Sequence, residues 1–346
     1  MRGLLLIIPS FAVTILCWGI YGPVLHWGQE GMAIGDGQLA RLRPFICVGL
    51  AYFLIGVIVP AAWLWVRGEK GRWTLTGAVW SFAAGALGAI GALGIILAFT
   101  FGGKPIYVMP LVFGGAPVVN AFLTIVWAGS LRQIGPVFLA GLFMVLLGSM
   151  TVLIFAPTAQ AASLEGSVSD WLIRLASISM VIACWGAYGP VLHRGQAAMN
   201  HSRLRPLLCV GLAYFAVAVL VPTAALAAWP EPSQFANVGG TFWSLAAGAA
   251  GAIGALGVIL AFNFGGKPVY VMPLIFGGAP VVNTLFSAMT RGMLGNLHPM
   301  FLAGLILVIA GAAIVLLFAP RGAPPKSRAP TQDAPANEPA AEVKPV

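Results

Sequence analysis

The chain carries nearly the same unit twice. Residues 102–120 read GGKPIYVMPLVFGGAPVVN and residues 265–283 read GGKPVYVMPLIFGGAPVVN, differing only at Ile106/Val269 and Val112/Ile275. Upstream, CWGIYGPVLHWGQ at 17–29 returns as CWGAYGPVLHRGQ at 184–196, and RLRPFICVGLAYF at 41–53 as RLRPLLCVGLAYF at 203–215. WSFAAGALGAIGALGIILAF at 80–99 returns as WSLAAGAAGAIGALGVILAF at 243–262. A unit built twice, about 165 residues long, makes up nearly the whole chain and has to be recognised before any fold is assigned.

The solvent for which the chain is built follows from composition. Hydrophobic residues make up 60% of the chain and charged residues 8%, against roughly 25% charged in a soluble domain. Apolar runs of about 20 residues, enough to cross a bilayer as a helix, recur throughout. Ten are read, at 4–25, 44–66, 75–99, 105–128 and 135–156, then at 171–192, 205–228, 239–262, 268–290 and 299–319. The first has a counterpart in the second copy, so it reads as a structural span rather than a cleaved signal. The predicted fold is an all-α integral membrane protein, ten transmembrane helices arranged as two inverted five-helix repeats. The repeats cover 1–160 and 165–320. Residues 321–346, rich in Pro and Ala, read as a disordered cytoplasmic tail.

Inversion follows from the odd count. A unit of five spans, repeated in tandem, must enter the membrane upside down the second time. Inverted repeats are the architecture of many secondary transporters, with the solute held near the midplane. The net charge of +9 agrees with one orientation. With the N-terminus inside, thirteen Lys and Arg face the cytoplasm and five (Arg41, Arg43, Lys104, Arg174 and Arg291) face outward. Both termini are expected in the cytoplasm, in a cell membrane (the inner membrane, if the cell is bacterial). This accounts for the basicity without nucleic acid.

Spans 4 and 9 carry GGAPVVN. Pro117 and Pro280 cannot donate a backbone hydrogen bond, and Gly114, Gly115, Gly277 and Gly278 weaken the helix beside them. These six residues are expected to break both helices near a binding site. Gly85, Gly88, Gly91 and Gly94, with their counterparts Gly248, Gly251, Gly254 and Gly257, read either as seats for close helix packing or as a cavity wall.

The chain resembles the drug/metabolite transporter superfamily, in particular its ten-span EamA-type members. The resemblance rests on Trp18-Gly19 and Trp185-Gly186 early in each copy, the very short links between third and fourth spans, and Pro117 and Pro280 in the fourth. It covers about residues 4–319, and span count and symmetry carry more of it than any residue string. It implies a central cavity lined by spans 1–4 and 6–9, with spans 5 and 10 at the periphery. The Gly-Gly-Lys-Pro links and the close likeness of the two halves depart from the family pattern.

No catalytic or metal-ligating pattern accompanies this. The nine acidic residues fall in loops, at span edges or in the tail, and the four cysteines read as small buried apolar residues. An enzyme is not expected, nor a metal or other cofactor. Candidate solute contacts are Trp18, Tyr21, Trp185 and Tyr188, which could stack on a ligand or simply sit at the interface. Lys104 and Lys267, with Tyr107 and Tyr270 three residues on, are candidates for an anionic group; snorkelling to lipid phosphates is the simpler reading. Asn120 lies 16 residues beyond Lys104, roughly 24 Å of helix, and Asn283 mirrors it. His26, Arg41 and Arg43 are expected to gather at the outer mouth, and His193, Arg203 and Arg205 at the inner one. The expected function is exchange or facilitated movement of a small anionic or polar metabolite by alternating access, with a passive channel or a lipid-moving protein as the alternative. The expected partners are the bilayer and that solute; a homodimer stays open.

Overall fold

The computed structural model describes residues 2–35, 39–127, 129, 131–155, 167–264 and 268–318. Lys267, most of the link between the copies and the tail beyond Phe318 lie outside the described residues. The protein is all-α, with a single isolated β-bridge, Ala33 to Ser233, among the described residues. The first copy forms α1 (Arg2–Met32), α2 (Leu42–Arg67), α3 (Leu75–Thr100), α4 (Pro105–Trp127) and α5 (Pro136–Ile154). The second forms α6 (Val168–Ala198), α7 (Leu204–Ala228), α8 (Val238–Asn263), α9 (Pro268–Thr290) and α10 (Pro299–Leu317). Seven of these helices are long and apolar enough to cross a membrane. In α5, α9 and α10 the apolar stretches are shorter, at Pro136–Val152, Leu274–Thr290 and Pro299–Val315.

Local chemistry sets the helix starts. The Thr74 hydroxyl accepts from the Gly77 amide at 3.0 Å, and the Asn237 side chain from the Gly240 amide at 2.8 Å, so mirrored caps open α3 and α8. Ser167 and Asp170 form a capping box at α6. The link from α3 to α4 shows why Gly-Gly-Lys-Pro is written there. Gly102 has φ +86°, a left-handed conformation that ends α3, and Pro105 opens α4 where its missing N–H costs nothing.

Two expectations about irregular helix are corrected. α4 runs without interruption through Gly114, Gly115 and Pro117, and α9 through Gly277, Gly278 and Pro280. A proline removes one hydrogen bond, and the remaining ladder closes around it. The glycines serve packing instead. An added Cβ at Gly114 would overlap Val308 of α10, and one at Gly115 would come within 2.7 Å of Ile182 of α6. Irregular helix occurs in α2 and α7, where π turns at Leu54–Ile58 and Ala216–Leu220 lead into Val59-Pro60 and Val221-Pro222. The wider turn gives the proline ring room that a regular turn denies.

The copies interlock. α1 lies antiparallel on α8, with Gly28 against Ser244, Gly31 against Gly240, and the Thr14 hydroxyl donating to the Gly254 carbonyl at 3.0 Å. α6 lies on α3 in the same way, with Gly195 against Ser81 and Gly94 against Val181. α2 meets α7 at Gly56 and Gly211. One apolar core therefore draws on both copies. α5 and α10 pair with each other through Gly141, Gly148, Gly304 and Gly311. Their outer faces expose Phe143, Leu146 and Ile306 by 59–67%. Helices that stay apolar on the exposed side need lipid around them. This is the build of a multi-pass membrane protein.

Candidate functional site

Trp18 and Trp185 reach across the interface between copies. The Trp18 indole N–H donates to the Gly251 carbonyl at 3.3 Å, and that of Trp185 to the Gly88 carbonyl at 3.2 Å. Each ring fills the notch left by a glycine: an added Cβ at Gly254 would overlap Trp18, and one at Gly91 would overlap Trp185. The glycine that follows each tryptophan does the same work on the other side. Gly19 seats Val282 of α9, and Gly186 seats Val119 of α4. The Trp-Gly pair therefore brings the first helix of one copy against both the third and fourth helices of the other.

Between these indoles lies a cavity of about 40 Å³. It is lined by Trp18 and Tyr21 of α1, Tyr52 of α2, Gly88 of α3 and Phe113 of α4, then by Trp185 and Tyr188 of α6, Tyr214 of α7, Gly251 of α8, and Met272 and Phe276 of α9. Every helix except α5 and α10 contributes. No charged side chain lines it. In this conformation the space admits a water or two, not an organic solute. Its polar groups are the tyrosine hydroxyls. Those of Tyr21 and Tyr188, mirror mates, are buried and have no hydrogen-bond partner among the described residues. A buried hydroxyl left unpaired costs free energy, which a bound water or solute would recover.

The asparagines stand near the two tyrosines. Asn283 packs against Gly22, one residue from Tyr21, and donates from Nδ2 to the Pro105 carbonyl at 2.9 Å. Asn120 packs against Gly189, one residue from Tyr188. Lys104 is half-buried in a small recess with Trp27, Pro105, Thr290 and Arg291, apart from the aromatic cavity. Tyr107 is turned away from both spaces. Its hydroxyl donates to the Gly102 carbonyl at 3.1 Å and accepts from Arg174, whose Nε also donates to the Phe101 carbonyl at 2.7 Å. Tyr107 thus ties down the α3–α4 link. Lys267 and the side chain of Tyr270 lie outside the described residues.

The arginines expected to draw anions into the mouths are held by glutamates instead. The Glu231 carboxylate accepts from the amides of Arg41, Leu42 and Arg43 at 3.0–3.3 Å, capping α2, and pairs with the Arg41 guanidinium at 3.9 Å. Arg43 donates to the Glu231 carbonyl and to Ser233. The mirror arrangement caps α7. Glu69 accepts from the amides of Arg203 at 2.7 Å and Leu204 at 3.3 Å, from the Ser202 hydroxyl at 2.6 Å, and from Arg205 at 3.4 Å. Each glutamate follows the second helix of its own copy and caps the second helix of the other, where a helix N-terminus favours negative charge. The signal was present in the sequence, since Glu69 and Glu231 occupy the same place in the repeat. The tyrosine of each GLAYF string was likewise legible as a repeated residue, but not as a cavity residue.

The mirror is imperfect at the histidines. His26 is buried, 3.1 Å from Glu30, which lies 3.9 Å from Arg291. His193 is exposed. The two ends thus differ in the burial of their histidines.

No family model matches the chain, and no curated protein does. A solved structure described only as "Crystal structure of protein" aligns over 90% of this chain and 96% of its own, with a TM-score of 0.57 at 20% identity. At that identity the likeness is one of fold alone.

Proposed function

We propose that this chain is a secondary transporter of a small organic solute, working by alternating access. In this reading the ten helices all cross the membrane as two inverted repeats with cytoplasmic termini, in the manner of the EamA-type transporters the sequence resembles. One observation carries it: an aromatic cavity is lined by both copies, five residues from the first and six from the second, with the unpartnered Tyr21 and Tyr188 hydroxyls related by the repeat. A site on the pseudo-symmetry element sees the same lining from either side, so rocking one copy against the other exposes it first to one face and then to the other. The Glu69 and Glu231 clasps cap mirrored helices at opposite ends, and the histidines His26 and His193 differ in burial between those ends.

The lining speaks to the solute. Six helices bring aromatic rings, four of them tyrosines with hydroxyls, two more bring glycines, and none brings a charge, which suits a flat or ring-bearing body with one or two polar groups. An anionic group on that solute would meet Lys104 at the mouth rather than at the centre. A passive channel would need a continuous wet path, and a cavity of about 40 Å³ lined by aromatic rings is not one. The test is counterflow. Metabolites that differ between deletion and overexpressing cells are loaded, labelled, into vesicles carrying the purified protein. External unlabelled solute should accelerate efflux with saturation. Efflux that is linear in concentration, with no acceleration, would overturn the reading.

A further inference from the structure

Outside the central site, a groove of about 810 Å³ lies between α2, α7 and α8 at the Glu69 end. Its walls grade from apolar to polar in one direction. Along α2 the order is Val59, Pro60 and Trp63, then Glu69 and Lys70 in the loop beyond; along α8 it is Leu256 and Leu260, then Asn263 at the helix end. These two helices run parallel, as the contacts of Gly248 with Val48 and Gly251 with Tyr52 require, so both walls change polarity at the same depth. Val59 and Trp63 are 56% and 51% exposed. His201 and Arg203 close the polar rim, and Asn263 fixes it by donating to the His201 carbonyl at 2.9 Å. The Arg67 guanidinium lies 5.0 Å from the Trp63 ring and adds a further cation. Against Arg67, Lys70 and Arg203 stands one carboxylate, Glu69, already shared by Arg203 and Arg205. Lys70 has no acidic partner among the described residues.

The repeat supplies an internal control. At the mirror position the apolar wall is kept as Val221, Pro222, Leu93 and Leu97, and the clasp as Glu231 and Arg41. The polar rim is not kept. Arg67, Lys70 and His201 are matched by Trp229, Pro232 and Leu39, while Trp63 and Asn263 are matched by Ala225 and Thr100. The clasp and most of the apolar wall are therefore present in both copies, whereas Arg67 and Lys70 add two cations that the mirror groove, with only Arg41 at the place of Arg203, does not have.

We propose that this groove binds one anionic phospholipid, its phosphate against Arg67, Lys70 and Arg203 and an acyl chain along Val59, Trp63, Leu256 and Leu260. An amphiphile standing along the membrane normal matches both the polarity gradient and the charge, and the leaflet's anionic lipids meet such cations favourably. In the topology proposed above this is the cytoplasmic leaflet, but the binding test does not depend on that assignment.

The test uses the full chain, stripped of lipid in a neutral detergent, with the thermal midpoint followed as phosphatidylglycerol, phosphatidylcholine of the same chains, or glycerol phosphate is added. Phosphatidylglycerol should raise the midpoint saturably, phosphatidylcholine should need several times more, and glycerol phosphate should do nothing. Lys70→Gln and Arg67→Gln should each raise the half-saturating phosphatidylglycerol concentration roughly fivefold, the effect of one surface cation on an anionic lipid. Arg132→Gln, an exposed cation away from the groove, should leave it unchanged. Equal response to phosphatidylcholine would mean a merely apolar groove, and a response to glycerol phosphate would mean a site for soluble anions. Parent-like affinity in Lys70→Gln, or an equal loss in Arg132→Gln, would mean only diffuse surface attraction. Any of these overturns the proposal.

Discussion

Tyr52 and Tyr214 lie face to face, their ring centroids 3.5 Å apart and their planes 2° from parallel. They are the same residue of the repeat, in GLAYF of α2 and of α7, so the stack joins equivalent positions of the two copies. Isolated rings prefer an offset or edge-on approach. Here the helices impose the overlap, because each hydroxyl is seated on a glycine of the other copy, Tyr52 on Gly251 and Tyr214 on Gly88.

That stack should behave as one unit. Tyr52→Leu and Tyr214→Leu are each expected to destabilise the protein, and the double variant by less than the sum. A coupling of about 0.5–1.5 kcal/mol is expected from aromatic pairs. Thermal or denaturant unfolding of all four proteins in one detergent measures it. Simple additivity would show that the rings touch without supporting each other.

The unpartnered hydroxyls should matter to transport and not to folding. Tyr21→Phe and Tyr188→Phe remove no hydrogen bond seen within the described residues, so the thermal midpoint should hold or rise slightly. Each should raise the KM for the transported solute by about 3- to 10-fold, the worth of one neutral hydrogen bond. Uptake kinetics in vesicles decide this. Unchanged KM in both variants would remove the hydroxyls from the site.

Both clasps should stabilise the fold through charge. Gln keeps the size of Glu, so Glu69→Gln and Glu231→Gln test the carboxylate alone. Each is expected to cost about 1–3 kcal/mol, since a largely buried anion leaves arginines and helix-end amides behind it. The two losses should be alike, and unfolding in detergent reads both. A neutral result at either position would reduce that clasp to a surface contact.

Gly91→Ala should be costly and Gly295→Ala should not. The first drives a methyl into the Trp185 indole, while the second meets nothing within 4 Å. Overpacking at Gly91 is expected to cost about 1–3 kcal/mol, and the Gly295 change to stay within about 0.5 kcal/mol. The same unfolding measurement separates them.

The proposed five-plus-five inversion makes a prediction about topology. Reporters placed in the loop at 157–170 and in the tail beyond Pro320 should report opposite sides of the membrane, external and cytoplasmic respectively. Finding both on one side would dismiss the five-plus-five arrangement.

The sequence by itself determined the element types and their doubling. Ten apolar helical runs, the caps at Thr74 and Asn237, and the left-handed Gly102 before Pro105 are local matters, governed by hydrogen bonding and backbone sterics within a few residues. The repeat also announced which residues come in pairs. What it could not supply is where one copy meets the other. Gly114 and Gly115 read as helix breakers because local propensity says so, yet tertiary packing on Val308 and Ile182 holds the helix closed and gives the glycines a different role. The arginines of the RLRP strings read as free cations because their glutamate partners lie in the other copy, beyond the reach of any local pattern. The aromatic cavity is assembled from eight helices, and only the interlocking of the two copies decides that Tyr21 and Tyr188 face it while Tyr107 binds the chain's own backbone. Long-range contact sets those roles, since a side chain's partner is fixed by which helices pack together and not by its neighbours in sequence.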